Sequence, residues 1–212
     1  MAGLFFIFSW QKKFPSGIMS GMQVISILIY DILALIWIYW VLTGLLSVAR
    51  GHTAFVPTVG QAKKIMMDEA RRYLKKSKKP VAVVDLGSGI GSLLIPLARA
   101  FPQHRFIGYE WDWLWCAVSK MRSRGLPNAA FRCQDFKKAH FSHVHLVLSY
   151  VGIGYAEKEL GQKLNRELPD NALVIAQSFQ MRRLKLVRKI PLNRLGIPCH
   201  IFIYAVNRKD RR

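Results

Sequence analysis

The chain has 212 residues, of which 51% are hydrophobic and 21% charged. This excludes a disordered chain and leaves room for one domain with a full core plus an appendage, hardly for two. Lys and Arg number 32 against 12 Asp and Glu, a net charge of +20, which points to a polyanionic neighbour. Cys116, Cys133 and Cys199 are odd in number and lack Cys-x-x-Cys spacing, which argues against a disulfide scaffold or a Cys-rich zinc module and suits a reducing compartment.

From Met22 to Ala49 the only charge is Asp31. The charge-free run Ile32–Ala49 would rise roughly 27 Å as a helix, close to the ~30 Å of a bilayer core. It is too long for a cleaved signal peptide, and no small-residue cleavage site follows. A membrane anchor is therefore expected, with a buried hairpin or an in-plane helix as the other reading. Trp37, Tyr39 and Trp40 lie too near its middle for an interfacial belt and are expected to pack on a neighbour. Lys12 and Lys13 precede the segment and Arg50, Lys63 and Lys64 follow it, which leans toward a cytoplasmic C-terminal part.

Residues 62–79 place Ile65, Met66, Ala70, Tyr73 and Leu74 at helical spacing among eight Lys/Arg. Such a helix can lie on anionic headgroups or present a solvated basic face. The organisation expected is thus an anchor over 1–50, an entry segment and basic helix over 51–80, and a domain over 81–212.

Within that domain, strands are expected at 81–85, 105–110, 129–133, 144–150, 172–179 and 199–206, the last one antiparallel. Helices are expected at 93–101, 112–124 and 157–168, the third carrying the Leu160, Leu164 and Leu168 stripe. The alternation argues for an α/β fold with a doubly wound, mainly parallel Rossmann-like sheet, its ligand at the carboxyl ends of the strands. Met181–Arg212 holds ten Lys/Arg against Asp210 and is expected to be a basic tail for anionic lipid or RNA phosphate, or a solvated rim.

The strand–turn–helix unit Asp85-Leu-Gly-Ser-Gly-Ile-Gly91 locates the chemistry. Its glycines allow close backbone approach to a ligand at a helix start. The run ends in Ser92, so it lacks the third glycine of a dinucleotide fingerprint, and no Lys-Ser/Thr pair makes a phosphate loop. Asp85 closes the first strand, and Glu110 closes the second, where a carboxylate can accept both hydroxyls of a ribose. Gln134-Asp135 follows the third strand, where an adenine edge could be hydrogen-bonded. His140, His143 and His145 have no acidic or Cys companion and are expected to be surface or strand histidines, with no metal.

These features resemble class I S-adenosylmethionine-dependent methyltransferases. The resemblance is closer to the small membrane-anchored protein-lysine methyltransferases that act on the ATP synthase c-subunit or the adenine nucleotide translocase. It is carried by the membrane segment, Phe55-Val-Pro-Thr58, VDLGSGIG, GYEWDWLW at 108–115, Phe131-x-x-x-Asp135, KELGQKLNRELPDNALVIAQSF at 158–179 and the closing IFIYAV. That family reads GSGDGR where Ile90 and Ser92 stand, GYELNPW where GYEWDW stands, and FGVP where Ser149-Tyr-Val-Gly152 stands. The resemblance implies S-adenosyl-L-methionine as cofactor, held by Asp85, Gly87, Ser88, Gly89, Glu110, Trp111 and Asp135 and covered by Pro57 and Thr58. Tyr150, Tyr155, Phe179 and Phe55 are the candidates for an aromatic acceptor pocket, with core or rim packing as the other reading of each, while Trp113 and Trp115 are expected to pack. The partners expected are a membrane protein with an accessible lysine and an anionic lipid surface; nucleic acid is not favoured. The alternatives are methyl transfer to RNA or to a lipid-soluble small molecule, and a non-catalytic membrane adaptor. The expected location is a bacterial inner membrane with the domain cytoplasmic, or else a mitochondrial inner membrane facing the matrix.

Overall fold

The computed structural model describes residues 21–49, 60–150, 159–178, 180–181, 183–194 and 197–207. The chain divides into two compact units, Met1–Ser47 and Val48–Arg212.

In the first unit, helix α1 (Gly21–Ala49) follows from a long, mostly apolar run without proline. Its span Gly21–Leu46 has 26 residues and is long and apolar enough to cross a membrane, with none of its most apolar window buried. Trp37 and Trp40 are exposed in the isolated chain.

The second unit holds α2 (Gly60–Lys76), β1 (Ala82–Leu86), α3 (Leu94–Ala100), β2 (Arg105–Glu110), α4 (Trp113–Arg122), β3 (Ala129–Cys133), β4 (Leu146–Ser149), α5 (Gly161–Glu167), β5 (Leu173–Gln177), β6 (Lys185–Arg194) and β7 (Ile197–Ala205). The strands form one sheet in the order β3-β2-β1-β4-β5-β7-β6. The first five pair in parallel, and β7 pairs antiparallel with both β5 and β6. The order reverses between β1 and β4, so the carboxyl ends of those two strands flank the crevice in which such sheets bind ligands.

Alternating side chains supply two cores, one on each face of the sheet. Val84, Leu86, Val147, Val174 and Ala176 meet Leu160, Leu164 and Leu168 on one face. On the other, Val83, Leu146, Leu148 and Ile175 meet α2 and α3. Helix α2 turns Ala62, Met66, Ala70 and Leu74 into this second core, with Ile65 and Tyr73 packed against it. Its apolar stripe therefore serves the domain, and Lys64, Arg72, Lys75 and Lys76 remain exposed.

Two sequence expectations need correction. Most of the basic tail is the β6–β7 hairpin rather than a tail. Strand β6 escapes an alternation test because a register shift falls between Leu186 and Arg188 and because Pro191 interrupts it. A proline that cannot donate to a ladder is tolerated there because β6 is the sheet edge. The second correction is a disulfide that joins Cys116 to Cys133. The α4 crossover leaves the end of β2 and returns to β3, and Cys133 pairs in register with Glu110, so residues remote from Cys-x-x-Cys spacing meet.

Candidate functional site

The site is built at the carboxyl ends of β1 and β2. After Leu86 the backbone turns through Gly87, Gly89 and Gly91, all with positive φ (78°, 52° and 75°), a region that L-residues other than glycine avoid. Gly87 and Ser88 donate their backbone N–H groups to the Tyr109 carbonyl, at 2.9 and 3.0 Å, which ties the loop to β2. Phe131 on β3 fits into a notch made by two glycines. A Cβ on Gly91 would lie 2.7 Å from Phe131 Cζ, and one on Gly108 would lie 2.5 Å from Phe131 Cδ1 and 2.6 Å from Ser88 Oγ. Beside Gly87 there is open space instead: a Cβ there would meet nothing within 4 Å.

Glu110 clasps the loop. Its Oε2 accepts from Gly89 N–H at 2.8 Å and its Oε1 from Asp112 N–H at 2.9 Å. Burial pushes the Glu110 carboxyl above its ordinary pKa, opposed by these backbone hydrogen bonds. Asp85, one residue before the end of β1, is enclosed as well. Burial first, and the neighbouring Glu110 charge second, push its pKa up to about 7. None of the ion pairs among the described residues includes either carboxylate. Two buried acids without a cation leave a place for a ligand that brings positive charge and hydroxyl donors.

Residues 85–188, about half of the chain, match the family model described as the ANTKMT methyltransferase domain. Over those residues the chain resembles a class I methyltransferase of the ANTKMT type. Its fold is similar to that of an RNA methyltransferase from Salinibacter ruber in complex with S-adenosyl-L-homocysteine, at 22% identity and TM-score 0.61, over 72% of this chain and 95% of that one. It is also similar to magnesium protoporphyrin IX methyltransferase (ChlM) from Synechocystis PCC 6803 with bound S-adenosylhomocysteine, at 14% identity and TM-score 0.55, over 72% and 90%. A third is geranyl diphosphate C-methyltransferase from Streptomyces coelicolor A3(2), at 11% identity and TM-score 0.54, over 69% and 77%. At such identities the likeness is one of fold. No curated protein matches the chain in sequence.

The methyl donor of the ANTKMT-type methyltransferase is S-adenosyl-L-methionine. The residues present fit that group. The space beside Gly87, the unpartnered buried Ser88 Oγ and the two acids are what a ligand with a carboxylate, an ammonium, a sulfonium and a ribose requires.

The structure brings together Asp85, Gly87, Ser88, Gly89 and Glu110. Trp111 follows directly, half-buried. Asp112 caps α4, its Oδ1 accepting from Leu114 N–H at 2.9 Å and Trp115 N–H at 3.3 Å. Trp113 is 68% exposed at the first turn, which corrects the expectation that it packs; Trp115 is half-buried. Asp135, half-buried after β3, accepts from Lys137 N–H at 2.9 Å and opens a 3-10 turn, Phe136–Lys138. Tyr150 is half-buried after β4. Phe55, Pro57, Thr58, Tyr155 and Phe179 lie outside the described residues. Of the histidines, His145 accepts from Ala82 N–H at 3.3 Å through Nδ1, and the His140 side chain is largely exposed.

Sequence reasoning passed over two polar residues. Ser149 Oγ and Gln177 Oε1 are buried at the ends of β4 and β5 and, with Ser88 Oγ, are the buried side-chain polar atoms left without a hydrogen-bond partner among the described residues. The available signal was Gln177 itself, a polar side chain closing the apolar run Ala172–Ala176.

Proposed function

We propose that the chain is a membrane-anchored S-adenosylmethionine-dependent methyltransferase that methylates lysine on a membrane protein. The observation that carries this reading is the exposed 26-residue apolar span present in the same chain as an ANTKMT-type domain. A domain held at a bilayer meets membrane proteins at high effective concentration. The exposed cations of α2 favour anionic headgroups, and the methyl donor is supplied on the domain's side of the membrane, the cytoplasm in a bacterial cell.

When bound, S-adenosylmethionine supplies a methyl group activated by its sulfonium, so the protein has chiefly to orient the reactants. Glu110 would accept from the ribose hydroxyls, Asp85 and Ser88 would serve the methionyl end, and Gly87 and Gly89 would let the backbone approach. Trp111 and Asp135 would border the adenine, and the resemblance assigns Pro57 and Thr58, outside the described residues, to covering the cofactor. The acceptor pocket assigned to Tyr150, together with Tyr155, Phe179 and Phe55 outside the described residues, would be apolar and aromatic. Such a pocket lowers the pKa of an entering lysine by disfavouring its charged form, and its ring faces attract methylammonium.

The test is calorimetric titration of S-adenosylmethionine and S-adenosylhomocysteine into detergent-solubilised full-length protein, with transfer of labelled methyl to solubilised membrane proteins measured in parallel. The wild type is expected to bind both ligands, and Glu110→Ala to lose about 100-fold or more in affinity, because it removes a buried charge-assisted acceptor. Folded wild-type protein that binds neither ligand is an adaptor. Label that disappears on nuclease treatment assigns the acceptor to RNA.

A further inference from the structure

Helix α4 borders the cofactor site and is thinly packed. Its buried residues are Cys116 and Ser119, and none of its side chains enters either core of the sheet. Ser119 spends its hydroxyl inside the helix, on the Cys116 carbonyl at 2.7 Å. The helix is fastened at its start by the Asp112 cap and near its end by Arg122 Nη1, which donates to the Ile90 carbonyl at 2.6 Å. Between these two stands the Cys116–Cys133 disulfide. An element with so little apolar contact has little local stability of its own.

The place of that bond in the sheet ties it to the cofactor. Cys133 closes β3 and pairs in register with Glu110 on β2. Partners in a parallel ladder project on the same face, so the disulfide lies on the face of Glu110, the acid that clasps the glycine loop. Phe131, two residues earlier, is on that face as well and fills the notch of Gly91 and Gly108. Directly after Cys133, Gln134 N–H donates to the Glu110 carbonyl at 2.9 Å. Trp111 precedes α4, and Asp135 follows Cys133 by two residues. The bond thus joins the two segments that carry the residues assigned to the adenine.

We propose that Cys116–Cys133 is a thiol–disulfide exchange site whose state sets the affinity for S-adenosylmethionine. Oxidised, it pins α4 to the end of β3 and keeps the adenine site assembled; reduced, it frees α4 and leaves the cofactor weakly held. The inference rests on the adenine placement proposed above. Cys133 is exposed and Cys116 fully buried, so a small thiol such as glutathione enters at Cys133. Its thiolate attacks Cys133 Sγ, and the Cys116 sulfur leaves with the electron pair of the S–S bond and takes up a proton. A second thiol then attacks the glutathione sulfur of the mixed disulfide and releases Cys133 as a thiol. Two electrons and two protons pass to the protein, and two glutathiones leave as their disulfide; oxidised glutathione drives the reverse. In the reducing cytoplasm that supplies the methyl donor, disulfides are usually transient and redox-sensing.

The test is calorimetric titration of S-adenosylhomocysteine into full-length, detergent-solubilised protein equilibrated in reduced or oxidised glutathione, with the thiol state read by maleimide labelling. The oxidised protein is expected to bind about tenfold tighter or more, because apparent affinity falls with the fraction of molecules in which α4 is docked. Amide hydrogen exchange is expected to rise across residues 113–122 on reduction and to stay unchanged in β1 and β5. Cys133→Ser, which alters only the exposed member, should bind like the reduced wild type in both buffers. Cys199→Ser should keep the full response, since Cys199 lies on β7, toward the opposite edge of the sheet from β3. Equal affinity in the two states, a bond that glutathione does not open in the folded protein, or a response that survives in Cys133→Ser overturns the inference and leaves the cofactor reading standing. Exchange that rises in β1 and β5 as well would make the bond a structural staple and also overturns it. Folded protein that binds in neither state overturns both.

Discussion

The carboxyl ends of β1 and β2 and those of β4 and β5 belong to one sheet and are enclosed alike. Asp85 and Glu110 are 4% and 5% exposed, Ser149 and Gln177 1% and 2%. They differ in charge. The first pair are acids that burial pushes above their ordinary pKa values; the second pair are neutral and lack partners. Burial alone therefore does not identify the ligand at a strand end. What separates the two halves is charge: the acids suit a cationic ligand, whereas Ser149 and Gln177 carry no charge and point to opposite faces of the sheet.

The largest effect that would separate the halves comes from Gly108→Ala. The added Cβ would press on both Phe131 and Ser88 Oγ, and a buried aromatic ring has little freedom to yield. Overpacking of this kind costs about 1–3 kcal/mol. Thermal unfolding is expected to drop by several degrees, and affinity for S-adenosylhomocysteine to fall with it. A variant that melts and binds like the wild type would show that the notch around Phe131 does not shape the cofactor half.

Asp85→Asn is expected to act next, through pH. A carboxyl with its folded pKa raised from 3.8 to about 7 holds its proton more tightly in the folded state than in the unfolded one. The stability it contributes is complete below about pH 4 and is lost as pH rises through 7. The unliganded wild type should therefore lose stability between pH 4 and 8. Asp85→Asn should flatten that slope and be the more stable protein at pH 8, by about 1–2 kcal/mol, while binding S-adenosylmethionine more weakly. Denaturant titrations of both proteins at pH 5 and 8 would measure it, and parallel slopes would refute it.

How much of this was legible in the sequence follows from local pattern. The five parallel strands announce themselves because buried parallel strands read as short apolar runs closed by turns, as in Val83–Leu86 and Leu146–Ser149. The glycine loop and Glu110 were legible because their spacing is set by local geometry. Strand β6 was not, since a bulge next to Val187 and a proline at position 191 erase its alternation. The Cys116–Cys133 bond was not, since it depends on a crossover that brings a helix onto a strand end. Gln177 was visible as a residue, but only the structure shows that its oxygen is buried without a donor.

The smallest expected effect is the most discriminating control, because it lies in the half of the sheet far from the acids. Glu69 on α2 accepts from Arg72 Nη1 at 2.7 Å and also pairs with Arg188 on β6. Its own side chain is 10% exposed, whereas those of the two arginines are 54% and 46% exposed, so water already solvates the cations. Pairs of this kind contribute about 0.2–1 kcal/mol, less as salt rises. In Arg188→Ala the carboxylate keeps Arg72, so no buried charge is stranded and the loss belongs at the lower end of that range. Cofactor affinity should stay within about twofold of wild type, since neither arginine approaches the glycine loop or Glu110 in any described ion pair. A Glu110-like loss of binding in Arg188→Ala would mean that the β6 edge communicates with the cofactor half, and the division between the two halves of the sheet would have to be abandoned.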